Sequence, residues 1–302
     1  MTKNVKFQGI IPPVSTILEK TGDLDKEGMS KVIDYLIDAG VHGLFFLGSG
    51  GEFSQMSIEE RIKTAEYVTK YVNGRVPVLI GTGSSNTREV VLLSEHAEKI
   101  GADAVVIINP YYWSVTENNL FNHYSTIAEA VNLPIILYNF PTLTGQDLNP
   151  DFVLSLVDKH ENIVGIKETV ESVSHIRDMI FTVKEKHPDF AVFCGFDDHL
   201  LQTLSMGGEG AICASANFAP ELSVNLYKAF VEGNFEDSLA IQKRLVILPT
   251  MYELDSPFVN VVKEAIKLKG LDISTHVLPP AYPLEDEKIN VLKNILQKAD
   301  LL

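Results

Sequence analysis

Eight times along this chain a short β-branched apolar run is followed by a stretch of helical periodicity, a pattern that few folds accept. The runs are GIIPPVS near residue 9, GLFFL (43–47), VPVLIG (76–81), AVVIIN (104–109), LPIILYN (133–139), NIVGIK (162–167), AVFCG (191–195) and GAICAS (210–215). Between them apolar residues recur at helical spacing, as with Val32, Ile33, Leu36 and Ile37, and again with Val90, Leu93, Ala97 and Ile100. Gly40 and Gly101 follow two of these stripes as helix stops, and SIEE (57–60) has the spacing of a capping box. Strands that alternate with helices imply parallel strands joined by right-handed crossovers, and eight such units in roughly 230 residues match a (β/α)8 barrel.

A doubly wound sheet is the rival architecture. Its dinucleotide fingerprint needs glycine at the sixth position; GSGGEF has Phe53 there and GTGSSN has Asn86. The barrel is therefore favoured. After Pro220 the pattern becomes helical in ELSVNLYKAFVEG, FEDSLAIQKRLVILPTMYEL, PFVNVVKEAIKLKG and EKINVLKNILQKA. We divide the chain into a barrel carrying the active site over residues 1–230 and a C-terminal helical domain over 231–302.

Composition narrows the function classes. With 25 Lys and Arg against 40 Asp and Glu, the net charge of −15 argues against nucleic-acid binding, which needs clustered cations. One or two local groups can still capture a small anion against that field. The two cysteines, Cys194 and Cys213, lie in apolar strand-like runs and fit a reduced cytoplasmic protein. No apolar run reaches the length of a membrane span or a signal peptide, so no membrane partner is expected. The eight histidines are scattered, with no CxxC or HExxH, so no metal is expected; no GxSxG elbow points to a serine hydrolase.

Residues at the C-terminal ends of barrel strands face the active-site mouth. Lys167 ends the sixth run. A lysine there ordinarily begins a solvated loop; the alternative is an amine held neutral by desolvation, able to attack a carbonyl and form a Schiff base. Tyr138 ends the fifth run, either as a core aromatic or as a proton relay beside that amine. The turn after the second run, GSGGEF, is either simply tight or a place where backbone N–H groups and Ser49 surround a carboxylate. NPYYW after the fourth run is either an aromatic contact patch or the source of a tyrosine hydroxyl for a catalytic site. Asp197 and Asp198 after the seventh run either start a helix or hold sugar hydroxyls at the mouth.

Taken in order, GSGGEFS, NPYYW, YNFPTLTG, GIKET and GAICASANFAP resemble the successive signatures of the pyruvate-dependent class I aldolases. That family includes dihydrodipicolinate synthase, N-acetylneuraminate lyase and the 2-keto-3-deoxy sugar-acid aldolases. The resemblance spans nearly the whole chain. It implies a barrel with a C-terminal helical domain, a homotetramer built as a dimer of dimers, and no cofactor. By position it implies Lys167 as the Schiff-base lysine, Tyr138 as the proton relay, and Ser49 with Gly50 as the binders of the pyruvate carboxylate. Tyr112 matches a tyrosine that reaches a neighbouring subunit's site in the synthase branch. Thr169, Gly195, Asp197, Asp198 and Ile212 complete the expected substrate wall.

Two departures bear on the substrate. Gly50 stands where the family often has threonine, which leaves a backbone N–H to serve and removes the hydroxyl that Tyr112's counterpart joins. Leu143 stands five residues after Tyr138, where the synthase pattern has an arginine that grips the carboxylate of the second substrate. A lost bidentate contact of that kind costs a few kcal/mol. GSGGEFSQMS, NPYYW and THVLPPAYPL look closest to bacterial 2-keto-3-deoxy-gluconate-type aldolases. The expectation is a lyase that reversibly splits a 2-keto-3-deoxy sugar acid into pyruvate and a short hydroxyaldehyde. The alternatives are dihydrodipicolinate synthase, which condenses pyruvate with aspartate semialdehyde, and a non-catalytic pyruvate-binding regulatory barrel.

Overall fold

A computed structural model describes residues 7–302. Eight strands form one parallel sheet: β1 (Gly9–Ile10), β2 (Leu44–Phe46), β3 (Val78–Gly81), β4 (Ala104–Ile108), β5 (Ile135–Asn139), β6 (Ile163–Glu168), β7 (Ala191–Cys194) and β8 (Gly210–Ala211). From β2 to β8 each pairs with its sequence neighbour, and β1 pairs with β8. The β1–β2 seam is looser, because Pro12 and Pro13 have no N–H to give. It is held by His42 N donating to Ile10 O (2.8 Å), Phe45 N to Pro12 O (3.0 Å) and Val14 N to Phe45 O (2.7 Å), which closes the sheet into a (β/α)8 barrel. The β1–β8 seam runs through Gly9 opposite Gly210, and a Cβ on Gly210 would lie 2.0 Å from Gly9 O. Only glycine permits that approach.

The helices form where the periodicity places them. Ser57 and Glu60 make a reciprocal capping box at the start of the helix Ile58–Val72. Gly40 and Gly101 take φ of +82° and +84° just past the helices Lys26–Asp38 and Thr87–Lys99. Two readings need correction. The eighth run pairs only over Gly210–Ala211, not to 215. The stretch 235–254 is not one helix: it is helical over Phe235–Leu245 and then tightens into a 3-10 segment over Leu248–Leu254. Pro249 explains the break, since its ring conflicts with the carbonyl four residues earlier, that of Leu245. One apolar core runs from the strands into the C-terminal helices, taking in Leu245, Val261 and Leu292.

Register decides which side chains meet. Tyr138 pairs with Lys167 and Lys167 with Phe193, so these three share one face of the sheet. Their successors Asn139, Glu168 and Cys194 share the other. Behind Lys167, toward the helix Val173–Lys184, lies a polar cluster that runs from the buried Asn139 and Glu168 out to the exposed Asp147. Asn139 Nδ2 donates to Glu168 Oε2 (3.0 Å) and to Asp147 Oδ1 (2.7 Å), while His175 sits 3.1 Å from Asp147 Oδ2 and 3.4 Å from Glu168 Oε2. Full burial pushes the Glu168 carboxyl from its ordinary 4.5 up to about 8, with His175 opposing. The hydrogen bond to Asp147 holds the His175 imidazolium above the usual histidine range.

A carboxyl whose folded pKa is raised favours folding below its unfolded pKa, and that advantage is lost as pH rises through the folded value. Glu168's contribution to thermal stability should therefore fall between pH 4.5 and about 8 and then level off. Glu168→Gln keeps the acceptor for Asn139 but cannot ionise, so its melting temperature should fall less over that window. Parallel melting curves for the two proteins would contradict this account of the cluster.

Candidate active site

The strand ends open onto a cavity of about 480 Å³ at the C-terminal mouth of the barrel. Its wall includes Ser49, Gly50, Tyr138, Lys167, Thr169, Gly195, Asp197, Asp198 and Ile212. Thus all but one of the candidate residues lie around one space. Tyr112 is the exception. It is 89% exposed beside Trp113, at φ +84°, and does not line its own chain's cavity.

Lys167 is 4% exposed and comes off the inner face of β6. Aromatic faces flank its amine: Nζ lies 4.1 Å from the Tyr138 ring centroid and 5.5 Å from that of Phe45. Among the described residues no carboxylate comes within ion-pair distance of it and no acceptor takes a hydrogen bond from it. The adjacent Glu168 cannot serve, because strand alternation turns it to the outside of the barrel.

The Tyr138 hydroxyl lies 3.4 Å from Ser49 Oγ, linking the fifth strand end to the turn after β2. That turn is a 3-10 segment over Ser49–Gly51, bracketed by Leu47 and Glu52 at φ +58° and +61°. A Cβ on Gly50 would meet only Pro13 O, at 3.6 Å, so packing does not require glycine there and the space beside Ser49 stays open. Gly195 is different. A Cβ there would fall 1.9 Å from Thr169 Oγ1, so glycine lets the Thr169 hydroxyl lie against the seventh strand end. That hydroxyl is buried and has no hydrogen-bond partner among the described residues.

The two aspartates have unlike surroundings. Asp197 is 2% exposed, and both its oxygens are engaged: Oδ1 accepts from Ser215 N (2.9 Å) and Oδ2 from the Tyr252 hydroxyl (2.7 Å). Burial raises its carboxyl above the usual range and also drives the Tyr252 hydroxyl well up. Asp198 is half-buried, and its side chain faces the cavity with no hydrogen-bond or ion-pair partner among the described residues. Glu171 and Glu253 also line the space. Leu143 is 56% exposed in the short helix Pro141–Thr144, and Thr142, not Leu143, forms the cavity wall there.

Sequence reasoning missed the contribution from the C-terminal extension. Pro249, Tyr252 and Glu253, carried by the 3-10 segment that follows the helix Phe235–Leu245, close the mouth together with Phe258 at the start of the helix Val259–Leu268. The one local signal was Pro249 inside an otherwise helical pattern. Among the described residues, no cluster of His, Cys, Asp and Glu could hold a metal ion, and no helix is long and apolar enough to cross a membrane.

Comparison with known proteins places this geometry. YagE of Escherichia coli K12, provisionally named a 2-dehydro-3-deoxy-D-gluconate aldolase, is 56% identical over 100% of both chains. Its crystal structure in complex with pyruvate superposes with a TM-score of 0.98, covering 99% of this chain and 100% of that one. YjhH of the same organism, provisionally named a 2-dehydro-3-deoxy-D-pentonate aldolase, is 53% identical over 95% of this chain and 96% of its own. A 4-hydroxy-tetrahydrodipicolinate synthase from Methanosphaerula palustris is 37% identical over 97% of this chain and 100% of its own. The pattern of the dihydrodipicolinate synthetase family matches residues 6–299, and the chain belongs to that family.

Proposed function

We propose that the chain is a lysine Schiff-base aldolase that reversibly splits a 2-keto-3-deoxy sugar acid, such as 2-keto-3-deoxy-gluconate, into pyruvate and a short hydroxyaldehyde. The observation that carries this reading is Lys167, buried at the barrel mouth without a counter-charge and beside Tyr138. Support comes also from YagE and YjhH, whose names specify such acids, and from the pyruvate in the YagE structure.

In this mechanism the Lys167 amine attacks the C2 carbonyl of the keto acid, and loss of water leaves an iminium. The substrate carboxylate rests on the Ser49–Gly50 turn. The C4 hydroxyl gives its proton to the Tyr138 relay as the C3–C4 bond breaks. The bonding electrons flow into the iminium to form an enamine, and the aldehyde departs. Protonation of the enamine at C3 and hydrolysis of the resulting iminium release pyruvate and restore Lys167. The protein needs no cofactor for these steps.

The remaining wall suits a neutral polyol. Asp198 and the Thr169 hydroxyl are free to bond sugar hydroxyls, while Asp197 braces the wall through Ser215 and Tyr252. Glu171, Asp198 and Glu253 give the mouth an acidic character that disfavours an anionic aldehyde. We keep the division into a barrel over 1–230 and a helical domain over 231–302. We also propose a cytoplasmic homotetramer, a dimer of dimers, in which the exposed Tyr112–Trp113 pair meets a neighbouring subunit.

The direct test is a substrate panel. Pyruvate should be released from 2-keto-3-deoxy-gluconate or a close relative. Condensation of pyruvate with aspartate semialdehyde should be at least ~10²-fold weaker in kcat/KM, the size of one lost charge-assisted contact. Efficient condensation with no cleavage of any keto-deoxy acid would establish the synthase reading instead. Tyr138→Phe keeps the ring and removes the relay, so kcat should fall ~10²-fold or more with little loss of thermal stability. An unchanged kcat with a lowered melting temperature would make Tyr138 a core residue only.

A further inference from the structure

The turn that lines the carboxylate end of the cavity is held from outside the barrel. Glu52, the residue after Ser49–Gly51, is fully buried at φ +61°, a conformation that a glutamate adopts only when its surroundings impose it. Its Oε1 forms an ion pair with Lys263 Nζ, and its Oε2 accepts from Leu278 N (2.7 Å). Lys263 is itself fully buried on the helix Val259–Leu268, and its Nζ also donates to His276 O (2.6 Å). Both partners belong to the C-terminal extension. From the barrel side, Thr16 Oγ1 donates to Gly51 O (2.8 Å), completing the clamp.

We infer that Lys263 and Glu52 are positioning residues for the substrate carboxylate, so that the helix Val259–Leu268 and the segment around Leu278 shape the keto-acid site although neither Lys263 nor Leu278 lines the cavity. A buried ion pair is an uneconomical way to stabilise a fold, since an apolar pair of similar volume often does as well or better. What it supplies is a fixed direction: Glu52 can satisfy Lys263 and Leu278 N together only with the turn in its observed shape. That shape sets where Ser49 Oγ and the turn's N–H groups stand relative to Lys167 and Tyr138. The carboxylate is held alike before and during bond cleavage, and weakening such uniform binding raises KM with little change in kcat.

This inference rests on reading Ser49–Gly50 as the carboxylate site, so the experiment includes Ser49→Ala. Calorimetric Kd for pyruvate, and KM and kcat for keto-acid cleavage, would be measured on Ser49→Ala, Lys263→Met, Glu52→Gln and the double variant Lys263→Met/Glu52→Gln. Each single change at the pair leaves one buried polar partner uncompensated and lowers the melting temperature. The double variant removes both charges, keeps an amide acceptor for Leu278 N, and should recover much of that loss. We expect it nevertheless to raise pyruvate Kd and keto-acid KM by about tenfold or more, while kcat at saturation changes by less than about threefold. A double variant with wild-type Kd and KM, beside a Ser49→Ala protein with weakened binding, would overturn the positioning role alone. Unchanged binding in Ser49→Ala would overturn the carboxylate reading and this inference with it.

Discussion

The structure turns on a lysine buried at a strand end without a counter-charge. Lys167 is 4% exposed, flanked by the rings of Tyr138 and Phe45, and its sequence neighbour Glu168 faces the other way. Eight parallel strands around a large apolar core hold Lys167 there, and the barrel mouth puts the amine where a substrate can reach it. Register does the rest. Because Tyr138 is Lys167's partner across β5 and β6, the proposed relay stands beside the proposed nucleophile with no loop needed to bring it there.

The same alternation separates two electrostatic environments by one residue. On the inner face is an amine among aromatics; on the outer face, Asn139, Asp147, Glu168 and His175 form a network between the strands and the helix Val173–Lys184. The two sets share a backbone, so the polar network fixes the strands that carry Tyr138 and Lys167. Gly195 works similarly on the next strand end. Its missing Cβ is what lets the Thr169 hydroxyl occupy its place on the wall.

What the sequence made legible follows from locality. The eight apolar runs, the glycine stops and the SIEE capping box are short-range signals, and each strand and helix they indicate is present. The candidate residues at strand ends, Tyr112 apart, gather around one cavity because barrel geometry brings strand ends together. The signals failed where the cause is not local. The last strand is cut to two residues because its seam with the first run ends at Ile11 N donating to Ala211 O, after which Pro12 and Pro13 have no N–H to extend it. The part of the wall carried by Tyr252 and Glu253 comes from a segment whose amphipathic pattern reads as helix until Pro249 is weighed. Asp197's ties to Ser215 and Tyr252, and Glu52's to Lys263, join positions tens to hundreds of residues apart, and no local pattern encodes them. Leu143 was informative as a residue type, yet it lies outside the cavity, where Thr142 forms the wall.

The central claim is that Lys167 is the nucleophile, and covalent capture tests it most directly. Only an iminium is trapped by borohydride, so incubation with pyruvate and borohydride followed by peptide mass mapping reads the attacking residue without reference to the aldehyde partner. The account predicts one reduced pyruvate adduct per chain, on the peptide bearing Lys167, and none in Lys167→Ala. An adduct on another lysine, or no adduct in a protein that still cleaves keto acids, would contradict it.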